Sequence, residues 1–397
     1  MARKESLRTI GAPSERAGIF KPVRTGDEEY SVFLPRPLPP SPPLDVTPLQ
    51  DLADRANQAL GRLDGITLLL PNPDQFLYSY IRKEAVLSAQ IEGTQSSLSE
   101  LLIFEHDEAP GVPKPEIAEP LNYVRAMYHG LARIEAGFPL SSRLLREVHA
   151  LLLEDARGGN KAPGEFRTSQ NWIGGTRPAN ARFVPPPPQE VAAAMSDLEL
   201  FLHDRRGKTP MLFKAALAHA QFETIHPFLD GNGRLGRLLV TLLLCAEGHV
   251  LARPLLYLSL YLKRNRDEYY ERLQRVRTHG EWEEWVRFFL EGVVDVASSA
   301  TDTTRRLVEV VERDRARIQT LGRAAASATR LHEIATREIV FRIPDAARRL
   351  GTNEVTIGNA ARNLERLGVV RETTGRTRNK RYVYTDYLAI IEEGTAE

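Results

Sequence analysis

The chain has 397 residues, 42% of them hydrophobic, and a formal net charge of +1. This length accommodates two or three domains, and the near-neutral charge excludes a generally basic surface. The one cysteine, Cys245, excludes an internal disulfide and a cysteine-based zinc site. The sequence has no signal-peptide pattern and no apolar run long enough to cross a bilayer, so we expect a cytoplasmic protein without membrane contact.

Residues 1–44 contain few periodic apolar residues and end in a proline-rich stretch from Pro35 to Pro43. Proline favours extended backbone, so we predict a loosely ordered arm. The prolines could act as a peptide ligand, although a spacer or a packed extended strap is favoured. Residues 45–110 are predicted to form a helical segment.

One helix of this segment is predicted to begin at Asn72 and Pro73 and to stop before Gly93. Asparagine is a good helix cap, proline suits the first helical position, and glycine favours the residue after a helix. The apolar residues at helical spacing are Leu77, Tyr80, Leu87 and Ile91. Ser88 and Glu92 share one face, one turn apart. Taken alone, Glu92 is expected to be solvated.

Residues 111–295 are predicted to form a core dominated by helices at 140–153, 191–205 and 211–225. Prolines at 185–188 cannot pair inside a sheet, so residues 172–184 are predicted to be a short edge element, which we call the flap. The tyrosines at 257, 261, 269 and 270 and the tryptophans at 282 and 285 are expected mostly to fill the core. His219 is expected to be structural.

The stretch at 226–237 reads HPFLDGNGRLGR and runs directly into an apolar helix. Backbone N–H groups at a helix start are unpaired and partly positive, so they attract phosphate. Gly231 and Gly233 allow the backbone to fold closely around such an anion. Arg234 and Arg237 can bind further phosphate oxygens from the same helix face.

Two more side chains of this stretch suit nucleotide chemistry. Asp230 is an oxygen ligand of the kind that Mg²⁺ prefers beside nucleotide phosphates. His226 is placed to take a proton from an attacking hydroxyl group. An Asp-Gly-Asn-Gly run is also an ordinary turn before a helix, and a histidine at a helix boundary is often structural. The coincidence of six functional residue types in this order favours a nucleotide site.

The character of the chain changes after residue 296. Residues 296–330 are predicted to contain a charged linker helix suited to linking or dimer contact. Residues 331–397 resemble a winged helix-turn-helix domain with a basic wing. Candidate DNA contacts are Thr356, Asn359, Arg376, Arg378 and Lys380. An exposed charged hairpin for protein docking is the alternative.

The stretch at 226–237 resembles the Fic family signature HPF-x-D/E-G-N-G-R-x-x-R, with every defining position filled. The resemblance extends through residues 221–225, 163–186 and 261–270 and covers roughly residues 45–295. It implies a mainly α fold: a Fic-type helical core with a short β-hairpin flap, the N-terminal helical segment and the C-terminal winged helix-turn-helix.

The resemblance implies transfer of AMP from ATP to a Ser, Thr or Tyr hydroxyl of a target protein. His226 would be the general base, Asp230 would hold Mg²⁺, and the Asn232 side chain would bind the α-phosphate. Arg237 would hold the γ-phosphate, and Asn265 is the candidate for reading adenine. The implied nucleotide-binding residues are Gly231, Asn232, Gly233, Arg234, Arg237 and Asn265.

In Fic proteins the flap aligns the target by strand pairing. The flap residues to which this role is carried over are Ile173, Gly174, Gly175, Phe183 and Val184. The resemblance also makes a homodimer an expectation.

Ser88 to Gly93 reads SAQIEG and resembles the Fic inhibitory motif [S/T]-x-x-x-E-[G/N]. The resemblance implies that Glu92 pairs with Arg237 in the resting enzyme and blocks productive γ-phosphate binding. It also implies removal of AMP from the target as a second activity, with Glu92 positioning water.

Two alternatives stay open. Some Fic relatives transfer another phosphate-containing group, although the full set of Asn232, Arg234 and Arg237 favours a nucleoside triphosphate. In a different class, the protein would be a DNA-binding transcriptional regulator whose core only senses nucleotide.

Overall fold

The computed structural model describes residues 15–26, 28–68, 73–105, 114–204, 209–246, 250–377 and 380–395. Its helices are α1 (Gln50–Leu68), α2 (Pro73–Ile91), α3 (Leu98–Phe104), α4 (Lys114–Glu135), α5 (Ser142–Leu152), α6 (Pro188–His203), α7 (Met211–Ile225), α8 (Asn232–Cys245), α9 (Ser259–Arg264), α10 (Arg266–His279), α11 (Trp282–Gln319), α12 (Ala325–Glu338), α13 (Ile343–Leu350), α14 (Glu354–Arg366) and α15 (Thr385–Glu392). Its strands are β1 (Gly18–Thr25), β2 (Glu28–Pro35), β3 (Val340–Arg342), β4 (Val370–Glu372) and β5 (Arg381–Tyr384). The prediction of a mainly helical fold is confirmed.

Two central helices position the site. Helix α7 is buried along almost its whole length, and α8 follows it after the short turn at 226–231. Both helices are rich in apolar residues and buried on most sides, and they pack against each other in the core. Helices α2, α4 and α5 pack against α8. None of the helices in the described ranges has the length and apolar composition needed to cross a bilayer.

Helix α2 begins at Pro73, as predicted, while the expected cap Asn72 lies outside the described residues. The helix ends at Ile91, and Gly93 follows with a φ of +93°. The Gly93 N–H donates to the Gln90 carbonyl at 3.0 Å, and the Thr94 N–H donates to the Ala89 carbonyl at 3.2 Å. These bonds satisfy carbonyl groups that the helix end would otherwise leave unpaired.

Residues 18–35 correct the prediction of a loosely ordered arm. They form an antiparallel hairpin, β1–β2, whose register pairs Phe20 with Phe33. Phe33 is fully buried, its ring centroid lies 4.9 Å from that of Phe20, and its N–H donates to the Val184 carbonyl at 2.9 Å. The hairpin was missed because only the adjacent residues Val32 and Phe33 of β2 are buried, which gives no extended apolar alternation.

The predicted β-hairpin of the flap is present only as one isolated antiparallel β-bridge. Ile173 and Phe183 exchange two backbone hydrogen bonds, of 2.8 and 3.1 Å, and no longer ladder forms within this described segment. Gly174 and Gly175 turn the chain with φ values of +70° and +73°. A β-carbon on Gly175 would lie 2.5 Å from the Asn180 carbonyl, so this turn requires glycine.

Helix α11 crosses the predicted boundary between the core and the linker. It runs without interruption from Trp282 to Gln319, so the boundary placed at residue 296 falls inside a helix. Trp282 and Trp285 are buried in its first turns, as expected. The core and the predicted linker therefore share one continuous element.

The C-terminal elements follow in the predicted order of helix, turn, helix and two strands. Helices α13 and α14 are joined at Gly351, and Asn353 caps α14 by accepting from the Thr356 N–H at 2.8 Å. Strands β3, β5 and β4 form an antiparallel sheet in that order. Arg378, a candidate DNA contact, lies outside the described residues.

The C-terminal tail, residues 393–395, contacts α2. The Lys83 ammonium donates to the Glu393 carbonyl at 2.7 Å, and the Gln90 side-chain amide donates to the Thr395 carbonyl at 3.2 Å. Arg306 of α11 binds the Glu393 carboxylate through two bonds of 2.6 Å. The helix that Glu92 directly follows is therefore held partly by residues 393–395.

Candidate active site

His226 ends α7 in the left-handed conformation, with a φ of +49° and a ψ of +60°. This backbone is costly for a residue with a side chain and must be held by its surroundings. The Arg167 guanidinium donates to the His226 carbonyl at 2.9 Å, and the Asn171 amide donates to the Phe228 carbonyl at 2.9 Å. The Arg167 N–H also donates to the Pro227 carbonyl at 2.9 Å. Arg167 and Asn171 thus hold the turn after α7.

Burial is the largest influence on the imidazole of His226. It lowers the pKa of His226 to about 3, and the nearby charges of Arg277 and Arg167 act in the same direction. The ring is therefore neutral at physiological pH, which is the state that accepts a proton. Its Nδ1 atom is buried and has no well-formed hydrogen bond among the described residues, although the Glu223 backbone carbonyl acts on the ring and raises the pKa of His226.

The start of α8 forms an anion-binding cradle. Gly231 precedes the helix with a φ of +75°, and Gly233 lies in its first turn. A β-carbon on Gly233 would stand 2.2 Å from the Glu92 Oε1 atom. The carboxylate of Glu92 therefore lies directly against the helix start, where the unpaired N–H groups favour negative charge.

Both the oxygen and the nitrogen of the Asn232 side-chain amide form hydrogen bonds within the turn. Its Oδ1 accepts from the Phe228 N–H at 2.9 Å, and its Nδ2 donates to the Phe228 carbonyl at 2.8 Å. The side chain is buried. The structure thus places Asn232 as a clamp on residues 228–232, whereas the resemblance had implied a direct phosphate contact for this side chain.

Arg234 is buried, with only distant ionic partners. Its guanidinium nitrogens lie 3.4 Å from the Glu119 carboxylate and 3.5 Å from the Asp230 carboxylate. Its Nε and Nη1 atoms have no hydrogen-bond partner in the described part of the chain. Because buried guanidinium nitrogens without hydrogen bonds are costly, Arg234 is suited to receive an anion at Nε and Nη1.

Arg237 is buried and fully engaged by α2. Its Nε donates to the Ser88 hydroxyl at 2.9 Å, and its Nη2 donates to the Ser88 carbonyl at 2.9 Å. The same Nη2 lies 2.8 Å from the Glu92 carboxylate. Burial alone would raise the pKa of Glu92, but the charge and hydrogen bond of Arg237 lower it below its usual value. Glu92 is therefore an ionised partner of Arg237, not the solvated residue that base rates suggest.

Asp230 is a single carboxylate at the mouth of the cradle. Its Oδ1 accepts from the Gly231 N–H at 2.6 Å, and its side chain is about one-third exposed at 34%. Among the described residues, no group of three His, Cys, Asp or Glu side chains could hold a metal. One carboxylate fits Mg²⁺ only where phosphate and water supply the other ligands, which is how this ion is usually bound beside nucleotides.

His149 on α5 was not singled out by the sequence analysis. Its ring stacks on Phe228, with centroids 3.7 Å apart and an interplanar angle of 13°. Nδ1 accepts from the Gly164 N–H at 2.9 Å, so Nε2 carries the proton and donates to the Asp230 carbonyl at 2.9 Å. Burial lowers the pKa of His149 to about 4, so this neutral tautomer is stable. Its only sequence signal is a histidine on an apolar helix face.

The remaining predicted residues have no recorded contact with the cradle among the described residues. Asn265 joins α9 to α10, and its side-chain amide donates to the Tyr261 carbonyl at 3.0 Å. Phe183 and Val184 of the flap are buried, whereas Ile173 is partly exposed. His219 bonds to the Gly236 carbonyl at 2.8 Å and to the Tyr269 hydroxyl at 2.9 Å, as expected for a structural histidine.

Comparison with known proteins identifies the fold. The chain resembles the crystal structure of a Fic family protein from Desulfovibrio desulfuricans, with a TM-score of 0.56 and 22% identity, covering 86% of this chain and 98% of that one. It also resembles a Fic domain containing signaling protein from Bacteroides thetaiotaomicron, with a TM-score of 0.50 and 18% identity, covering 63% of this chain and 97% of that one. These similarities show a Fic fold.

The family follows from the sequence. Residues 50–132 match the Fic/DOC family N-terminal model, and residues 139–244 match the Fic/DOC family model. The chain therefore contains a Fic N-terminal domain followed by a Fic domain. The resemblance inferred from the motif at 226–237 is confirmed.

Two curated relatives carry an activity in their names. A probable protein adenylyltransferase of Aquifex aeolicus is 29% identical over 186 residues, which are 47% of this chain and 53% of that protein. Protein adenylyltransferase Fic of Drosophila yakuba is 36% identical over 130 residues, which are 32% of this chain and 23% of that protein. The chain spans about half of the length of the Aquifex protein and about a quarter of the length of the Drosophila protein.

Proposed function

We propose that this chain is a protein adenylyltransferase, which transfers AMP from ATP to a Ser, Thr or Tyr hydroxyl of a target protein. The observation that carries the proposal is the neutral His226 next to a helix start that already holds a carboxylate. A base and an anion cradle in one turn are the two requirements of nucleotidyl transfer. The names of the matched relatives support the same activity.

In the proposed reaction the hydroxyl oxygen attacks the α-phosphorus of ATP. The bond from that phosphorus to the oxygen bridging the β-phosphate breaks, and pyrophosphate leaves. The hydroxyl proton passes to Nε2 of His226. Arg234 and the N–H groups at the start of α8 bind the phosphate oxygens, and Arg167 keeps His226 in place. Mg²⁺ held at Asp230 would neutralise charge on the phosphates.

The resting state is proposed to be autoinhibited by Glu92. Its carboxylate occupies Arg237 and the face of Gly233, both of which the triphosphate needs. Two anions cannot share one guanidinium without repulsion, so productive ATP binding requires Glu92 to leave.

Labelled ATP tests the activity and its inhibition together. Glu92→Gly is expected to incorporate label from α-³²P-ATP and none from γ-³²P-ATP, at a rate well above the parent protein. His226→Ala in the Glu92→Gly background is expected to abolish labelling. Glu135→Gly, which removes an exposed glutamate from the end of α4, is the matched control and should resemble the parent. A Glu92→Gly protein that binds ATP with Mg²⁺ but transfers nothing would refute the proposal.

A second proposal concerns DNA. Helix α14 exposes Val355 at 72%, together with Asn359, and the β4–β5 hairpin carries Arg376 and Lys380. An exposed helix beside a basic hairpin can bind phosphates and a groove of DNA.

Fluorescence anisotropy of a labelled DNA duplex tests this second proposal. Binding should weaken as the salt concentration rises, and the double variant Arg376→Ala/Lys380→Ala should show a smaller salt dependence. Arg55→Ala, on α1, is the control. Salt-independent or absent binding would favour a protein-docking role.

A further inference from the structure

A buried carboxylate and a buried ring nitrogen lie close together beneath the proposed active site. Glu223 lies one helical turn before His226, and its Oε2 atom is 3.9 Å from Nδ1 of His226. Nδ1 of His226 and the other carboxylate oxygen, Oε1 of Glu223, are buried and have no well-formed hydrogen bond in the described ranges, although the Glu223 backbone carbonyl lies close enough to the ring to raise the pKa of His226. Buried polar groups in proteins are normally hydrogen-bonded, so an unsatisfied atom on each of two neighbouring side chains needs an explanation.

The neighbouring helix makes room for this carboxylate. A β-carbon on Gly236 of α8 would lie 2.5 Å from the Glu223 Oε1 atom. Any larger residue at 236 would push the Glu223 side chain out of its position. The glycine of the motif thus leaves a space that the carboxylate fills.

Charged groups reach Glu223 and His226 from every side. From α10, Arg277 donates to the Glu223 backbone carbonyl at 3.0 Å. From α8, Arg237 lowers the pKa of Glu223, while Glu92 after α2 raises it. Burial is the largest influence and leaves the pKa of Glu223 at about 7. Tyr269 of α10 is also coupled to this carboxylate.

The imidazolium that forms on His226 in the proposed reaction needs a negatively charged partner. When His226 accepts the hydroxyl proton, its ring becomes positive in a buried place where Arg277 and Arg167 oppose positive charge. An imidazolium without a counter-ion would be unstable there. Among the described residues, the Glu223 carboxylate lies 3.9 Å from Nδ1 of this ring and can act as its counter-ion.

We infer that Glu223 is a positioning residue for His226, an inference that rests on the proposed function. Its carboxylate favours the tautomer with the proton on Nδ1, which leaves the Nε2 lone pair free to take the hydroxyl proton. The same carboxylate stabilises the imidazolium formed in that step. The proton on Nδ1 stays on the ring throughout, so no further acceptor is needed.

The test compares three variants in the Glu92→Gly background. Glu223→Gln keeps the shape and removes the charge, and Glu223→Asp keeps the charge on a shorter side chain. Glu84→Gln is the matched control, because Glu84 is also a buried glutamate whose pKa burial raises to about 7, but it bonds to Ser259 and Tyr123.

We expect Glu223→Gln to lower kcat for AMP transfer by about 10- to 100-fold with little change in the KM for ATP. In the Glu92→Gly parent, kcat should rise with pH near or below pH 7 as Glu223 ionises. This rise should be absent from Glu223→Gln, because the substituted side chain does not ionise. Glu223→Asp should recover part of the rate, and Glu84→Gln should keep the profile of its parent.

A second readout needs no activity. Nitrogen-15 spectra of labelled histidine, assigned with His226→Ala, should show the Nδ1–H tautomer of His226 in the parent and its loss in Glu223→Gln. An unchanged tautomer together with an unchanged pH profile would overturn the inference. If the Glu92→Gly protein binds ATP but transfers no AMP, the proposed function fails, while the tautomer measurement still decides the role of Glu223.

Discussion

Arg167 and His226 are joined by a hydrogen bond of 2.9 Å from the guanidinium to the main-chain carbonyl, across 59 positions of sequence. Arg167 is buried, and burial lowers its pKa to about 10, so the contact is made by a desolvated cation. Lysine has one ammonium group and cannot reproduce several directed donors. The backbone of His226 therefore depends on an arginine at position 167.

Arg167→Lys in the Glu92→Gly background is expected to lower kcat by about 100-fold, because a displaced general base loses its alignment with the attacking hydroxyl. Labelling with α-³²P-ATP measures the rate, and calorimetry measures ATP binding. Arg177→Lys, at a position whose side chain is 61% exposed, is the control. Equal rates for both variants would contradict this role of Arg167.

Ser88→Ala is expected to activate the protein partially. Arg237 would lose the hydroxyl acceptor at its Nε but would keep the Ser88 carbonyl and Glu92. A hydrogen bond to a charged group contributes about 1.5–3 kcal/mol, so AMP transfer should rise by roughly tenfold or more, yet stay below that of Glu92→Gly. Ser79→Ala, also buried on α2, is the control. No increase in labelling would show that Ser88 does not help to hold Arg237.

His149→Phe is expected to keep the stacking on Phe228 and to lose both hydrogen bonds. The Asp230 carbonyl and the Gly164 N–H would then lack their partner, which costs about 1–3 kcal/mol for each buried group. Urea unfolding should show this loss, and ATP affinity in the Glu92→Gly background should fall as the cradle loosens. His129→Phe, at a position whose side chain is 36% exposed, should change neither quantity.

His332 provides a test of acid sensitivity away from the site. Burial lowers its pKa from 6.5 to about 4, so the folded protein keeps this ring neutral. The stabilisation that comes from keeping the His332 ring neutral is complete above pH 6.5. It is lost as the pH falls from 6.5 towards 4, because the histidine of the unfolded chain binds the proton more readily than the buried ring does. Glu84 and Glu223, with pKa values raised to about 7, act in the opposite direction over part of this range.

The comparison of His332→Gln with the parent isolates this one group. Between pH 6.5 and 4, the free energy of unfolding of the variant should fall less steeply, by up to about 1.4 kcal/mol per pH unit. Urea unfolding across that range gives the slope, and the control is His129→Gln. Parallel slopes for parent and His332→Gln would mean that His332 is not held neutral.

Phe33→Ala tests the coupling of the N-terminal hairpin to the flap. Phe33 is fully buried, and its ring centroid lies 5.9 Å from that of Phe183. We expect a loss of about 3–5 kcal/mol in the free energy of unfolding and faster hydrogen exchange at the amides of Ile173 and Phe183. Ile19→Ala, at a position 44% exposed in the same hairpin, should have a small effect.

The sequence predicts those parts of the molecule whose cause is local. The helix ending before Gly93 and the glycine-rich start of α8 could be predicted because their caps and turns lie within a few residues of each other. The resemblance of residues 226–237 to the Fic signature implied the mainly helical Fic-type fold, and both the resemblance and the fold class are confirmed.

Contacts between distant segments explain what the sequence did not reveal. The hairpin β1–β2 is held by the backbone bond from Phe33 to Val184, and His149 meets Asp230 from another helix. Neither pairing leaves a periodic signal in either segment. For Asn232, the motif predicted an amide near the phosphates but not that Phe228 would engage both of its ends.

The attachment of residues 393–395 to α2 has a practical consequence for protein preparation. A chain shortened before Glu393 would lack the two carbonyl groups that Lys83 and Gln90 use as acceptors. That loss would act on α2 and on Glu92, which directly follows it, without touching the catalytic turn. The shortened chain is therefore expected to show a different basal rate from the full chain.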